Sequence, residues 1–90
     1  MKTILFYWSK GADIRRDILR QIAGYEKKDK PCYLNLIADN FGLSHVAIKK
    51  HIDLLVDEGY VHPLNPKGKP VYLAVTKLGY DMLKEFGEKG

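Results

Sequence analysis

The chain has 90 residues, of which 46% are hydrophobic and 29% charged, as in one small folded domain, and this length excludes a two-domain enzyme with a deep cleft. Its single cysteine excludes an internal disulfide and a zinc site built mainly from thiolates. The net charge of +4 is compatible with a polyanionic partner, and the absence of a long apolar run or a signal-peptide pattern predicts a cytoplasmic protein.

The first part of the chain is predicted to form an arm and one helix. Residues 1–11 include an apolar, aromatic run that is typical of a short strand or an extended arm. Over 13–24, apolar residues recur at helical spacing, and Asp13 stands where a helix cap is expected. Pro31 then limits residues 32–34 to a short strand at most.

Two further helices are predicted in the middle of the chain, separated by a short turn. The first covers 35–41, with Asn35 as its expected cap. Gly42 suits the left-handed conformation that often follows a helix end. The second helix covers 44–58, and Ser44 is its expected cap. Together these elements form a helix–turn–helix.

The last third of the chain is predicted to form a β-hairpin and a final helix. Two apolar runs flank the segment Asn-Pro-Lys-Gly-Lys-Pro at 65–70, which has strong turn chemistry, so 60–76 is expected to be a hairpin. Thr76 is the expected cap of a helix over 77–87. Residues 1–90 are thus predicted to form a single α+β domain.

The helix over 44–58 has the features of a helix that enters a DNA groove. Ile48, Ile52 and Leu55 recur on one helical face, which we expect to be buried. The side chains turned outward are then Val46, Lys49, Lys50 and Asp53. The major groove of DNA is about 12 Å wide and admits one α-helix. No acid occurs over 41–50, as suits a helix N-terminus that approaches phosphates.

The hairpin offers a second basic element. Its tip carries Lys67 and Lys69, and no acid occurs over 61–78. A stiff basic tip is suited to the DNA backbone or to a neighbouring minor groove. Taken alone, these lysines are better explained as a solvated turn. The two acid-free segments either form one positive face or reflect chance clustering.

A resemblance to known regulators covers most of 12–86. Residues 34–61 resemble the helix–turn–helix of winged-helix regulators of the arsenical-repressor (ArsR) type, and 14–19 are similar to the first helix of that group. The matching positions are Ile37-Ala38, Gly42-Leu43-Ser44, the run 48–55 with His51, and Gly59-Tyr60-Val61. Residues 67–79 are similar to the wing signature of the multiple-antibiotic-resistance (MarR) regulators. The positions in register are Leu73, Val75, Thr76 and Gly79.

The resemblance implies a winged helix-turn-helix fold, with a three-helix core, a β-hairpin wing and a C-terminal helix. It implies a transcriptional regulator that binds double-stranded DNA as a homodimer, with the recognition helix in the major groove and the wing on flanking backbone. Two-fold symmetry would place half-sites about 34 Å apart. The candidate DNA-binding residues are Ser44, His45, Val46, Lys49 and Lys50 in the groove, Lys67 and Lys69 in the wing, and, as weaker candidates, Arg15 and Arg16.

Two departures from the family pattern affect these expectations. Lys67 and Lys69 replace the Asp and Arg of the wing signature, and Lys lacks the planar fork of Arg, so wing contact should be looser and mostly electrostatic. The cysteine pair of metal-sensing members is missing, and Cys32, interpreted as a core residue, cannot replace it. The histidines show no metal-site spacing, and His51 is interpreted as structural, so we expect no metal and no cofactor.

The dimer interface is expected at the chain termini, because aromatic residues are enriched at interfaces and the termini of such regulators commonly build the dimer. The candidates are Phe6, Tyr7, Trp8, Leu78, Met82, Leu83 and Phe86. The alternative is that these side chains cover the domain's own core.

Two other classes of function are a protein-interaction module and an enzyme. A winged helix can serve as a protein-interaction module in a larger assembly without binding DNA; Lys49 and Lys50 argue against this, whereas Val46 leaves it open. An enzyme is not expected, because the sequence shows no nucleophile–base pair, phosphate loop or metal cluster. The outward face of 44–58 has no Arg, Asn or Gln, so sequence specificity should be modest or lean on DNA shape.

Overall fold

Four helices and one antiparallel hairpin make up the fold in the computed structural model, which describes residues 5–7 and 9–87. In chain order the elements are α1 (Ala12–Lys27), α2 (Leu34–Phe41), α3 (His45–Asp57), β1 (Val61–Pro63), β2 (Leu73–Val75) and α4 (Lys77–Glu85). Val61 pairs with Val75 and Pro63 with Leu73 across the two strands. The fold is therefore α+β, with α2 and α3 as the helix–turn–helix.

Local capping sets the starts of α3 and α4 as the sequence predicts. The Ser44 hydroxyl accepts a hydrogen bond from the Ala47 N–H at 3.1 Å, and the Thr76 hydroxyl accepts one from the Gly79 N–H at 3.0 Å. Each bond satisfies a backbone donor that the first turn of a helix leaves without a partner. Gly42 ends α2 at a φ of 66°, a left-handed conformation that favours glycine.

The start and end of α1 differ from the prediction. The helix begins at Ala12, with Gly11 as its N-cap and no side-chain cap. Asp13 lies in the first turn and pairs with Arg16 instead of capping the helix. The helix also continues to Lys27, three residues beyond the predicted range 13–24. A single helical glycine costs only about 1 kcal/mol, so Gly24 does not end it.

Two smaller boundary predictions are also wrong. The N-cap of α2 is Tyr33, which uses no side-chain bond, so Asn35 lies inside the helix rather than at its cap. Residues 32–34 contribute a single isolated bridge, between Tyr33 and Tyr72, in place of a strand. The last helix ends at Glu85, two residues before the predicted limit of 77–87.

The described residues ahead of α1, namely 5–7 and 9–11, fold back onto the core. Residues 5–7 form a tight turn rather than the predicted strand or extended arm. Phe6 is fully buried, with its ring edge-to-face on Tyr60 at 4.9 Å and on Phe86 at 5.1 Å between centroids. Such aromatic pairs add about 0.5–1.5 kcal/mol beyond the area they bury. Phe6 is therefore a core residue and cannot form the expected dimer contact.

The core lies between the four helices and the base of the hairpin. Its largest fully buried side chains include Tyr60, Ile18, Leu19, Ile22, Ile37, Ile48 and Leu55. Each such aliphatic side chain stabilises the fold by about 1.5–3 kcal/mol. Met82 and Leu83 belong to the same cluster, because the apolar stripe of α4 faces the rest of the chain. They therefore cover the domain's own core, which is the alternative to the dimer interface that the sequence left open.

The Tyr60 hydroxyl is buried, and no described residue accepts or donates a hydrogen bond to it. A buried hydroxyl without a partner costs about 1–3 kcal/mol. We expect Tyr60→Phe to raise the free energy of unfolding by about 1 kcal/mol in urea titrations. Tyr80→Phe is the control with the opposite sign, since the Tyr80 hydroxyl donates to Glu26 at 3.1 Å. A destabilised Tyr60→Phe would show that this hydroxyl is satisfied in solution.

The outer edge of β2 is covered by α1 and by the residues that follow it. The Val75 N–H donates to the Glu26 carboxylate at 2.7 Å, and the Leu73 N–H donates to the Cys32 carbonyl at 2.8 Å. These bonds occupy backbone donors that an open sheet edge would expose. The base of the hairpin is thereby attached to α1 at Glu26 and to the segment after α1 at Cys32.

Cys32 is a buried thiol, as the sequence predicts, with 2% of its surface exposed. Burial, and then the nearby charge of Glu26, raises the pKa of Cys32 to about 11. The thiolate is the reactive form. Raising the thiol pKa from 9.0 to about 11 reduces the thiolate fraction at pH 8 about 100-fold. We expect iodoacetamide at pH 8 to alkylate the folded protein at least about 100-fold more slowly than the urea-unfolded chain, measured by mass spectrometry. Equal rates would contradict this burial.

Candidate nucleic-acid interface

The outward face of α3 is set by the burial of its other face. Ile48, Ile52 and Leu55 are buried, as the spacing predicts. The exposed candidates on or beside the helix are Ser44, His45, Val46, Lys49 and Lys50. All belong to the first half of the helix or to its cap, which contains no acid. The five groove candidates are thus brought together on one accessible surface.

Lys49 carries the one ion pair that the described residues show on this surface. Its ammonium group lies 3.0 Å from one carboxylate oxygen of Asp53 and 3.2 Å from the other. Both side chains are more than half exposed, and exposed pairs of this kind contribute about 0.2–1 kcal/mol. Lys49 can therefore leave Asp53 for a phosphate at little cost.

The tip of the hairpin is organised by the side chain of Asn65. The sequence placed this residue in the turn, but its two side-chain hydrogen bonds were not predicted. Its side chain accepts a hydrogen bond from the Tyr72 N–H at 2.7 Å and donates one to the Pro70 carbonyl at 3.1 Å. These bonds tie the two ends of the loop and hold Lys67 and Lys69 exposed between them. The signal was present, since Asn before Pro favours turns and its side chain commonly bonds nearby backbone.

A groove of about 870 Å³ separates α3 from the hairpin. Lys49 and Asp53 line it from α3, Lys69 from the hairpin, and the edge-to-face pair Tyr33 and Tyr72 lies along it. Lysines from the two acid-free segments of the sequence therefore face the same space. We call this space the basic groove; its charged lining residues are Lys49, Lys69 and Asp53, the last of which is paired with Lys49.

Arg15 does not reach this surface. Only 4% of it is exposed, and its guanidinium donates to the Leu5 carbonyl at 2.6 Å, the Ser9 hydroxyl at 2.6 Å and the Lys10 carbonyl at 3.2 Å. It ties the N-terminal segment to α1. Arg15 is therefore not available to bind phosphate, because its guanidinium is buried under residues 5–7 and 9–10. Helical periodicity alone does not show that these residues cover this side of α1.

Arg16 is also engaged within the chain. Its guanidinium donates to the Phe6 carbonyl and to the Asp13 carboxylate, and it lies 5.4 Å from the centre of the Tyr7 ring. A cation over an aromatic face contributes about 0.5–1 kcal/mol at exposed sites. These contacts make Arg16 a structural residue first, so it stays at most a secondary phosphate contact.

His51 connects α3 to α1 through Arg15. Its Nδ1 lies 3.1 Å from the Arg15 Nη1. Since Arg always carries its proton, Nδ1 must be the acceptor and the proton of the neutral ring lies on Nε2. Burial, and then the charge of Arg15, lowers the pKa of His51. The structural role that the sequence indicated thus takes the form of a specific contact.

This contact predicts a pH effect on stability. The folded state disfavours protonated His51, so the contact stabilises the fold above the ordinary histidine pKa of about 6.5. The stability is lost as the pH falls through that value towards the lowered pKa. His51→Asn keeps an acceptor near the Nδ1 position but does not titrate. We expect the free energy of unfolding to fall less between pH 7 and 5.5 in His51→Asn than in the wild type; equal slopes would contradict the contact.

The other expected dimer residues lie at the edge of the core. Tyr7, Leu78 and Phe86 are half-buried and pack against the core cluster. Trp8 lies outside the described residues.

The described part of the chain contains no group of three or more His, Cys, Asp or Glu residues placed to hold a metal ion. None of its helices combines the length and apolar character that a membrane span needs.

The fold is similar to two crystal structures of adhesin competence repressor (AdcR) from Streptococcus pyogenes, one of them of the C-terminally His-tagged protein. The TM-scores are 0.67 and 0.66, and the sequences are 18% identical in both comparisons. The matches cover 93% and 96% of this chain but only 62% and 64% of the other two. No protein-family model and no curated protein matches the sequence. This chain therefore has the winged-helix fold, with β1 and β2 as the wing.

Proposed function

We propose that this protein is a transcriptional regulator of the MarR/ArsR-like kind that binds double-stranded DNA as a homodimer. The observation that carries the proposal is the basic groove, which Lys49 lines from α3 and Lys69 lines from the wing. The similar structures belong to a protein named as a repressor, which supports a regulatory role. The proposal involves no catalysis and agrees with the cytoplasmic location expected from the sequence.

In the proposed complex, α3 enters the major groove with its N-terminal half. Ser44, His45, Val46, Lys49 and Lys50 then face the DNA. The wing lysines Lys67 and Lys69 lie against flanking backbone, where a flexible ammonium group suits electrostatic contact without base reading. Lys49 exchanges the Asp53 carboxylate for a phosphate.

The proposed homodimer agrees with the size of the chain. The described residues span 32 × 26 × 22 Å, so a separation of about 34 Å between two α3 helices, one DNA turn, is within reach of two copies packed side by side. Of the residues expected at the interface, Tyr7, Leu78 and Phe86 keep enough exposed surface to take part. Trp8 stays a candidate from the sequence alone.

The proposal is tested by titrating a random-sequence duplex with the 90-residue chain at several salt concentrations, using fluorescence anisotropy. Each phosphate contact should add about 0.9 to the slope of log K against log salt, and non-specific Kd values should fall near 10⁻⁴–10⁻⁶ M at physiological salt. Light scattering of the same samples measures the oligomeric state.

Absence of binding at low salt by the folded protein would overturn the proposal. It would favour the alternative, a winged-helix module that binds another protein. The observation that favours this alternative is the exposure of two apolar side chains, Leu43 just before the cap of α3 and Val46 in its first turn.

A further inference from the structure

The start of α3 presents an apolar side chain to solvent among polar and basic ones. Val46 has 67% of its surface exposed, the largest value among the exposed large apolar side chains of the described residues. It lies three and four residues before Lys49 and Lys50, so all three share one helical face. Exposed valines are common singly, but this one lies at the centre of the surface proposed to meet DNA.

Hydrogen-bond readers of bases are scarce on that surface. Bidentate recognition of guanine uses Arg or Lys, and that of adenine uses Asn or Gln. The helix His45–Asp57 contains no Arg, Asn or Gln. Arg15 and Arg16, from α1, are bound within the chain. Lys49 is paired with Asp53 and faces the basic groove, which suits a phosphate better than a base edge.

Apolar contact is a second means of direct readout, beside the hydrogen-bonding groups of Ser44, His45 and Lys50 on the same surface. In the major groove, thymine presents a 5-methyl group that no other DNA base carries, and small apolar side chains contact it. Valine is suited to this contact because a β-branched side chain has one strongly preferred rotamer in a helix. Its methyl groups are therefore already ordered before DNA arrives, and little side-chain entropy is lost on binding.

We propose that Val46 is a specificity-determining residue that selects thymine at one or two positions of each half-site by contact with the 5-methyl group. The inference rests on the proposed function, since it assumes that α3 enters the major groove. The expected selectivity is modest, about fourfold for each methyl group, as for burial of one methylene-sized group.

The test begins with selection of the preferred duplex from a random library by the wild-type protein. Each thymine of that duplex is then replaced singly by deoxyuridine, which removes the 5-methyl group and leaves the base-pairing edge intact. We expect one or two replacements per half-site to weaken wild-type binding about fourfold in anisotropy titrations. The same replacements should have no effect on Val46→Ala.

Two matched variants separate this contact from general effects. Leu64→Ala removes another apolar side chain, 59% exposed and just after β1, and should keep the full deoxyuridine effect. Lys50→Ala should bind every duplex more weakly while keeping the same ratio between thymine and deoxyuridine. Circular dichroism confirms that each variant is folded.

Three outcomes would overturn the inference. The first is a wild-type protein that binds DNA but enriches no sequence, and the second is enriched DNA that tolerates deoxyuridine at every position. The third is a deoxyuridine effect of equal size in Val46→Ala and the wild type. All three leave the proposed function standing, whereas absence of binding to any duplex at low salt overturns both.

Discussion

Replacing Lys49 and Lys50 together by alanine is expected to lower the slope of log K against log salt by about two and to weaken DNA binding about 30-fold near 0.15 M salt. Each lysine is proposed to neutralise one phosphate, and each lost contact removes about 0.9 from the slope. The variant also leaves Asp53 without its cation, which places an unpaired negative charge beside the DNA. The measurement is the anisotropy titration at several salt concentrations.

The matched control removes the same charge elsewhere. Lys28 and Lys84 are exposed and lie outside α3 and the wing. Lys28 directly follows α1, and Lys84 belongs to α4. Lys28→Ala/Lys84→Ala should keep a slope close to the wild-type value. If both double variants lose affinity equally, binding depends on net charge alone and the α3 surface has no special role.

Replacing Gly79 by alanine is expected to reduce the free energy of unfolding by about 2 kcal/mol or more, although alanine normally favours a helix. A Cβ at this position would lie 2.4 Å from the Tyr60 carbonyl oxygen and 2.5 Å from the Val75 Cγ1. The carbonyl cannot move freely, because it also accepts the Thr76 N–H at 3.1 Å. Helix α4 would have to shift away from the base of the wing, at a cost typical of an overpacked core.

Gly24 provides the control, since it also lies inside a helix but has no atom within 4 Å of an added Cβ. Gly24→Ala should therefore raise the free energy of unfolding by about 0.4–1 kcal/mol. The same substitution is thus expected to have opposite signs at the two positions. Urea unfolding monitored by circular dichroism measures both, and a stabilised Gly79→Ala would show that α4 does not pack as closely as described.

The starts of α3 and α4 and the buried face of α3 could be predicted from the sequence because they depend on neighbouring residues. Ser44 and Thr76 each cap the helix that follows within three residues. The burial of Ile48 and Ile52 follows from their spacing alone. The turn chemistry around Asn65 likewise indicated the hairpin. The order of these elements and the exposure of the groove candidates on α3 therefore followed from short-range patterns, whereas the winged-helix fold was expected from the family resemblance.

Apart from the helix boundaries, the differences concern residues whose partners lie far away in the chain. Phe6, Met82 and Leu83 are apolar and near the termini, so the sequence did not distinguish an interface from the core; the structure buries all three. Arg15 has the right charge for phosphate, but its carbonyl acceptors come from a segment that folds over α1. The sequence gives the charge and the helical face of a residue but not which segment covers that face.

Local chemistry alone therefore indicated the helix–turn–helix, the Ser44 cap of α3 and the basic character of α3 and the wing tip. Tertiary structure decided that Lys49 and Lys69 face one groove, because α3 and the wing are separate elements whose relative position depends on the packed core. It also decided that Glu26 secures β2, through a bond between residues 49 positions apart. Contacts over such distances form only when the whole apolar core is buried, so no local pattern records them.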